Sequence, residues 1–274
     1  MATLDSRMNG RRSMIGAIVG DVVGSRWEFG GCKTKEFVFL NSKCAPTDDS
    51  ILTLAIGDAL LATESCRETL GRETVRKLIE WWCAYPFAGY GAMFESWVAE
   101  GKGLPYNSWG NGSAMRVSFC GWAAKSLEEA KALADAVTRI THNHPEGISG
   151  ATIVAECVYL AKCGFGIPAI RDHVEKNYRK IDFTLDEIRP TYEFDVSCQG
   201  SVPQAIEAFL ESTSFEDAIR NAISLGGDSD TLGAICGAIA GAHWGVPKGI
   251  IDATNLFLDE KMKTMLVMCE RRWA

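Results

Sequence analysis

The chain has 274 residues, of which 47% are hydrophobic and 23% charged, and its formal net charge at pH 7 is −7. A chain of this length and hydrophobic content can bury a substantial core. The acidic balance argues against a nucleic-acid-binding surface, because no stripe rich in lysine and arginine interrupts it.

Other features of the composition narrow the class of protein. Ten cysteines are scattered without a CxxC pair, which is typical of reduced, mostly buried thiols. The apolar segment near the start is short and contains Asp21, unlike a secretory signal, and no apolar run reaches the roughly 18 residues of a transmembrane helix. We therefore expect a cytoplasmic protein. No linker divides the chain, so we predict a single domain over residues 1–274, with its core at about 13–262.

The first predicted element is a glycine-rich helix. Gly16, Gly20 and Gly24 recur every fourth residue, so one face of this helix is almost bare of side chains. Glycine in a helix interior costs about 0.5–1 kcal/mol relative to alanine. The repeat therefore predicts a close helix contact, or ligand access, that offsets the loss. Asp21 argues against the membrane interpretation of the same spacing.

An acidic cluster follows, after a short predicted extended segment at Glu36–Leu40. Asp48 and Asp49 lie between Thr47 and Ser50, directly before a helical pattern. Thr, Ser and Asp are preferred helix N-caps, so an ordinary helix start is the competing interpretation. The apolar face of the predicted helix carries Ile51, Leu54, Ala55, Ala59 and Ala62.

A turn rich in glycine and asparagine, Ser108–Arg116, is predicted to open a helix. Free backbone N–H groups at such a turn would suit a diphosphate. The segment is neither a Walker loop nor a GxGxxG loop, and an ordinary turn is the competing interpretation. Further along, His142 and His144 lie at a predicted break between helices. Their spacing lacks a third zinc ligand, and local hydrogen bonding is the alternative role.

Helical patterns continue to the end of the chain. Ser126 and Ser214 are predicted N-caps, each with an acidic residue three positions later. Tyr192–Val196 is a second short extended segment, and Gly200–Gln204 is predicted as a loop that enters a helix with Pro203 in its first turn. The helix between the two caps has an apolar face of Ile153, Val154, Cys157, Val158 and Ala161.

A second acidic cluster, Asp228–Thr231, follows Gly226-Gly227 and precedes another glycine repeat at residues 233, 237 and 241. If the fold joins the two clusters, four aspartates share one pocket and raise each other's pKa unless cations are present. Mg²⁺ prefers such oxygen ligands. The sequence therefore predicts an all-α protein with two divalent ions near Asp48, Asp49, Asp228 and Asp230.

Five motifs in this order resemble the ADP-ribosylglycohydrolase family, and the resemblance spans nearly the whole chain. The departures are small, with Ser50 where threonine is frequent and Ser113 where glycine or alanine is usual. The motifs are Gly16–Asp21 with Glu28 downstream, Thr47–Ser50, Gly110–Arg116, Thr141-His142 and Gly226–Thr231.

The resemblance implies a compact, single-domain multi-helix bundle with a binuclear Mg²⁺ centre below an ADP-ribose cleft, Mn²⁺ being a substitute ion. It implies that Glu28 lies on a mobile loop over the metals. The implied metal ligands are Thr47, Asp48, Asp49, Asp228, Asp230 and Thr231. The implied contacts to the diphosphate and distal ribose are Ser108, Gly110, Asn111, Gly112 and His142.

The expected activity is Mg²⁺-dependent hydrolysis that removes ADP-ribose from a modified side chain or small acceptor by cleavage at C1″. The partners are then an ADP-ribosylated substrate and the ADP-ribose product, and we expect a monomer. A non-catalytic ADP-ribose-binding or structural protein on the same scaffold is one alternative. A two-metal phosphoesterase is another. The catalytic assignment is Glu28, Asp48, Asp49 and Asp230.

Overall fold

A computed structural model describes residues 12–101 and 103–274, and the part of the predicted domain at residues 1–11 and 102 lies outside them. The described residues form fourteen α-helices and two 3-10 turns, at Arg67–Thr69 and Asn111–Ser113. The helices are α1 (Gly16–Gly24), α2 (Asp48–Ala62), α3 (Leu70–Ala84), α4 (Ala92–Glu100), α5 (Ser118–Ala123), α6 (Leu127–Thr138), α7 (Pro145–Lys162), α8 (Ile167–Asn177), α9 (Leu185–Ile188), α10 (Cys198–Leu210), α11 (Phe215–Ile223), α12 (Ser229–His243), α13 (Lys248–Thr254) and α14 (Glu260–Trp273).

The all-α prediction is confirmed. Within the described ranges the only sheet-like pairing is a single antiparallel bridge between Gly110 and Ser197. None of the helices in this part of the chain has both the length and the apolar character that spanning a membrane requires.

Two glycine-lined helices, α1 and α12, form the centre of the bundle. They run antiparallel, with Gly16 against Gly237 and Gly20 against Gly233. A Cβ atom added at Gly20 would lie 1.8 Å from the carbonyl oxygen of Gly233, so the two backbones are in direct contact. The predicted close approach is confirmed, and every residue of α1 is buried.

The other helices pack around this pair. Helices α7, α10 and α11 pack against α12, and α2 packs against α1. The predicted apolar face of α7 is buried throughout. Helix α2 is buried more widely than predicted, since Leu52, Ile56 and Leu60 are also in the core. Ala62 is the exception, because it is exposed at the last position of that helix.

The two predicted N-caps are confirmed. Ser126 accepts a hydrogen bond from the backbone N–H of Glu129, and Ser214 accepts one from that of Asp217, both at 3.1 Å. The acidic side chains bond one residue further back than a capping box requires, to the N–H groups of Lys125 and Thr213.

The two predicted extended segments are not strands. In and beside Glu36–Leu40, backbone carbonyls bond to a side chain and not to another strand. The Arg220 guanidinium donates to the carbonyls of Lys35 and Phe37 at 2.9 Å. In the second segment, the Val196 carbonyl accepts from the N–H of Asn111 at 2.8 Å. Alternating side chains predicted local extension, but no strand in the described part of the chain lies beside either segment to form a ladder.

The prediction for Gly200–Gln204 is also wrong. Helix α10 begins at Cys198, capped by Ser197, so Pro203 lies in the helix interior. A proline there cannot donate to the carbonyl four residues earlier, which belongs to Gln199. Arg179 donates to that carbonyl at 3.5 Å, so the carbonyl keeps a polar partner.

Candidate active site

Three helix ends meet at one point of the fold and bring acidic residues together. Asp21 lies on α1, Asp49 in the first turn of α2, and Asp230 in the first turn of α12. Carboxylate oxygens of these three residues lie within 4.8 Å of one another. The two acidic clusters, distant in sequence, therefore form one site.

A second group of carboxylates shares Asp230 with the first. Oxygens of Glu28, Asp228 and Asp230 also lie within 4.8 Å of one another. Glu28 is half-buried in the turn after α1, whereas Asp228 is buried at the position before α12. Asp48 lines the same cavity, but its oxygens belong to neither group, and it lies beside Gly89.

The local backbone explains how these side chains reach the site. Gly226 and Gly227 have φ angles of 70° and 71°, which side chains disfavour, and they turn the chain so that Asp228 precedes α12. Thr47 caps α2, since its Oγ1 accepts from the N–H of Asp49 at 3.4 Å. Carboxylates at both helix starts also face the positive end of a helix dipole.

Asp21 belongs to the first motif of the family resemblance, but it was assigned no role in the site from the sequence. It is fully buried and accepts hydrogen bonds from the N–H and Oγ1 of Thr47 at 2.9 and 2.6 Å. It also accepts from the N–H of Ser50 at 3.1 Å and from the Ser50 hydroxyl. Asp21 thus fixes the start of α2 to α1. A lone acidic residue inside a glycine-rich buried helix was the available signal.

Burial raises the pKa of the carboxyl groups in this site, and their mutual repulsion adds to it. Asp228 has its pKa raised to about 6. Glu28 has its pKa raised to about 8, with the charge of Asp230 as the second cause. The pKa values of Asp48, Asp49 and Asp230 are raised well above the usual range. The fully ionised site therefore has more negative charge than its surroundings compensate.

The donor set fits a hard divalent cation. Asp49 Oδ1 is buried and has no hydrogen-bond partner among the described residues, which is costly for a carboxylate oxygen. The groups around it are carboxylates and threonine hydroxyls, the oxygen ligands that Mg²⁺ prefers. Thr231 lies beside Asp230 at the start of α12, with its Oγ1 3.8 Å from the sulfur of Met115. A bound cation would satisfy the orphaned oxygen and offset the charge.

The carboxylates form the floor of a cavity of about 340 Å³, a volume within the usual range for ligand pockets. Thr47 is not among its lining residues, because its hydroxyl turns to Asp21 behind the floor. All five residues that the family resemblance assigned to ADP-ribose line the cavity, and they are Ser108, Gly110, Asn111, Gly112 and His142.

The glycine-asparagine turn differs from its prediction. It forms the 3-10 turn Asn111–Ser113, and the next helix, α5, begins only at Ser118. The Asn111 side-chain amide donates to Asp228 Oδ2 at 2.7 Å. Asn111 is therefore tied to the acidic floor, whereas Ser108 bonds within the turn, accepting from the N–H of Gly110 at 3.0 Å.

His142 lies between α6 and α7, as predicted, and is 5% exposed. Burial and then the nearby Arg116 charge lower its pKa well below the usual value. His144 has a separate role as the N-cap of α7, where its Nδ1 accepts from the N–H of Glu146 at 3.2 Å. The two histidines therefore do not form a metal site.

Several lining residues had no functional assignment from the sequence. Tyr106 packs against His142, with ring centroids 5.6 Å apart, and Phe94 is a buried residue of α4. Arg116 was visible only as the last residue of the glycine-asparagine motif. The set includes Phe94, Tyr106, Met115, Arg116, Phe194 and Val196.

Comparisons with known proteins agree on one family. The sequence matches the ADP-ribosylglycohydrolase family model over residues 2–266. It is 27% identical to ADP-ribosylhydrolase ARH3 of Homo sapiens, over 86% of this chain and 85% of that protein. It is 25% identical to ADP-ribosyl-[dinitrogen reductase] glycohydrolase of Rhodospirillum rubrum, over 79% of this chain and 76% of that protein.

A comparison of structures supports the fold. An ADP-ribosylglycohydrolase-related protein complex contains a similar chain, with a TM-score of 0.70 and 22% sequence identity. The match covers 98% of this chain and 99% of the other. The helical architecture is therefore shared over essentially the full length of both chains.

Proposed function

The chain belongs to the ADP-ribosylglycohydrolase family and is a hydrolase, and we propose that it removes ADP-ribose from an ADP-ribosylated side chain or small acceptor in a Mg²⁺-dependent reaction. The bond cleaved is the glycosidic bond at C1″. One observation carries the proposal: a single cavity has five carboxylates on its floor and a glycine-rich turn on its wall. Ribose hydroxyls beside cations and phosphates beside a backbone turn would suit that arrangement.

We assign the cations to the floor of the cavity, with Mn²⁺ as a substitute for Mg²⁺. The orphaned Asp49 oxygen and the raised pKa values of its neighbours support this assignment. When bound, the cations supply Lewis-acid polarisation of oxygen groups and lower the pKa of water. The proposed ligands on the cavity lining are Asp48, Asp49, Asp228, Asp230 and Thr231. Thr47 is the sixth proposed ligand, because its hydroxyl, which donates to Asp21, keeps a lone pair for a cation.

Hydrolysis adds water across the C1″ bond through an oxocarbenium-like transition state. The water oxygen bonds to C1″, and the acceptor leaves with the bonding electron pair and gains a proton. Glu28 is suited to accept the proton that water loses, because it lies in a turn at the edge of the acidic floor. Its pKa of about 8 would fall near bound cations, which leaves the carboxylate ionised and able to act as a base.

The wall of the cavity holds the rest of the substrate in this proposal. Ser108, Gly110, Gly112 and His142 contact the diphosphate and the distal ribose. Asn111 acts from the same turn by orienting Asp228, to which its amide donates. The complete carboxylate set argues against a purely structural protein, since a scaffold has no use for buried, mutually repelling acids.

The decisive experiment uses peptides ADP-ribosylated on arginine or on serine, incubated with the protein and Mg²⁺ or with a chelator. We expect release of intact ADP-ribose, identified by mass, only in the presence of the metal. Asp49→Asn should abolish release, whereas Asp182→Asn, at an exposed site, should not. Binding of ADP-ribose without release would indicate the non-catalytic alternative, and ribose-phosphate products would indicate the phosphoesterase.

A further inference from the structure

Arg116 is a buried cation on the wall of the cavity. It is 1% exposed, and its Nη2 donates a hydrogen bond of 2.7 Å to Thr141 Oγ1. A guanidinium has only donors and stays protonated in proteins. The direction of this hydrogen bond is therefore fixed, with the Thr141 hydroxyl as the acceptor.

The Thr141 hydroxyl must then donate its own proton elsewhere. The acceptors within reach include the backbone carbonyl of Thr138 at 3.4 Å and the Nδ1 atom of His142 at 2.8 Å, and the Tyr106 hydroxyl also interacts with the Thr141 side chain. The shorter contact is the stronger hydrogen bond. A donating Nδ1–H would leave Thr141 Oγ1 accepting from both Arg116 and His142, with its own proton on the longer contact to Thr138. The arrangement that places the hydroxyl proton in the shorter contact has Nδ1 as the acceptor and the imidazole proton on Nε2.

The Nε2 atom of His142 faces the glycine turn of the cavity. A Cβ atom added at Gly110 or at Gly112 would lie 3.6 Å from Nε2, so the absence of side chains keeps that side of the ring open. The positive charge of Arg116 also disfavours protonation of His142. In the Nε2–H tautomer, a neutral ring would present its one N–H to this side of the cavity.

We propose that Arg116 and Thr141 are positioning residues that hold His142 as the neutral Nε2–H tautomer, so that it donates a hydrogen bond to an oxygen of the bound ADP-ribose. The identity of the ligand rests on the proposed function. The tautomer does not, because it is inferred from contacts within the protein alone. A neutral donor also discriminates against ligand groups that can only donate at this position.

The tautomer can be read directly by ¹⁵N NMR of the imidazole rings in the ligand-free protein at pH 7. The chain has four histidines, so His142→Gln identifies the signals of His142 by their loss. We expect a protonated Nε2 and an unprotonated Nδ1 in the parental protein. A protonated Nδ1, or a doubly protonated ring, would overturn the proposal whatever ligand the protein binds.

Thr141→Val and Thr141→Ser form a matched pair. Valine keeps the branched shape of threonine but has no hydroxyl, whereas serine keeps the hydroxyl and can still donate a proton to His142. We expect mixed tautomers in Thr141→Val and an affinity for free ADP-ribose about three- to tenfold weaker by titration, with both restored in Thr141→Ser. An unchanged tautomer in Thr141→Val, or a changed tautomer with parental affinity, contradicts the proposal. The parental spectrum decides the tautomer even if Thr141→Val does not fold.

Discussion

The two ends of the α1–α12 pair differ in what lies between the helices. At one end, Gly16 and Gly237 bring the backbones into contact with no side chain between them. At the other end, Asp21 and Asp230 point carboxylates at each other. The glycine end tolerates no added atom, whereas the acidic end places carboxylate oxygens within 4.8 Å of one another. A rigid backbone contact thus holds together side chains that would otherwise repel.

The largest expected effect comes from the glycine contact. Gly20→Ala places a Cβ atom 1.8 Å from the Gly233 carbonyl oxygen, and two helix backbones must separate to accept it. We expect a loss of more than about 3 kcal/mol in the free energy of unfolding, measured by urea denaturation, because this overpacking meets backbone that cannot rotate away.

The matched control is Gly249→Ala, in α13, where an added Cβ atom meets nothing within 4 Å. That change should be neutral or stabilising by up to about 1 kcal/mol, since alanine is the better helix former. Equal stability of the two variants would show that the backbone contact is not what holds α1 to α12.

A substitution at the acidic end should not destabilise the metal-free protein, in contrast to Gly20→Ala. Asp230→Asn removes a charge that both carboxylate groups share, so the metal-free protein should melt at an equal or higher temperature. Mg²⁺ should raise the melting temperature of the parental protein by mass action but leave this variant unaffected. Calorimetry should show Mg²⁺ binding in the parental protein alone, and parental binding in Asp230→Asn would refute the assigned site.

Glu28 should separate catalysis from metal binding at that end. Glu28→Gln keeps the size of the side chain but cannot accept a proton, so we expect turnover to fall by roughly 10²–10⁴-fold with folding and Mg²⁺ affinity retained. Asp49→Asn should lose turnover and metal together. Hydrolysis of a confirmed substrate by Glu28→Gln at the parental rate would rule out the proposed role.

The pH dependence of stability should expose the charge imbalance. Asp228 has a pKa of about 6 in the folded protein, above its unfolded value near 3.8, so the folded state binds more protons between those pH values. Stability of the metal-free protein should therefore fall as the pH rises from about 4 to about 7, by on the order of 2–3 kcal/mol from this group.

Saturating Mg²⁺ should remove or reverse that fall, because cations favour the ionised carboxylates. Urea denaturation at several pH values, with and without Mg²⁺, measures both slopes. A metal-free protein that gains stability over the same pH range would show that the acidic floor is already compensated.

Regular spacing and residue chemistry made both ends of the pair predictable from sequence. The glycine repeats predicted the close contact between α1 and α12, and the two aspartate clusters predicted a metal site with oxygen ligands. Contacts between distant segments were not predictable. Asp21 accepts from the start of α2, and Arg179 bonds to the carbonyl that Pro203 leaves free inside α10. The two predicted extended segments did not form strands for the same reason, since a strand needs a partner strand from elsewhere in the chain.

The smallest expected effect tests whether the cavity wall is independent of the acidic floor. Sequence reasoning predicts that Asn111→Ala weakens ADP-ribose binding and leaves Mg²⁺ affinity intact. The hydrogen bond from Asn111 to Asp228 changes that expectation, because its loss frees an oriented carboxylate. We now expect Asn111→Ala to weaken both affinities, each by about 0.5–1.5 kcal/mol, or roughly two- to twelvefold. Ser108→Ala, which lines the same wall without contacting the floor, should weaken only ADP-ribose binding. Titration of each variant with Mg²⁺ and then with ADP-ribose separates the two effects, and unchanged Mg²⁺ affinity in Asn111→Ala would show that wall and floor act independently.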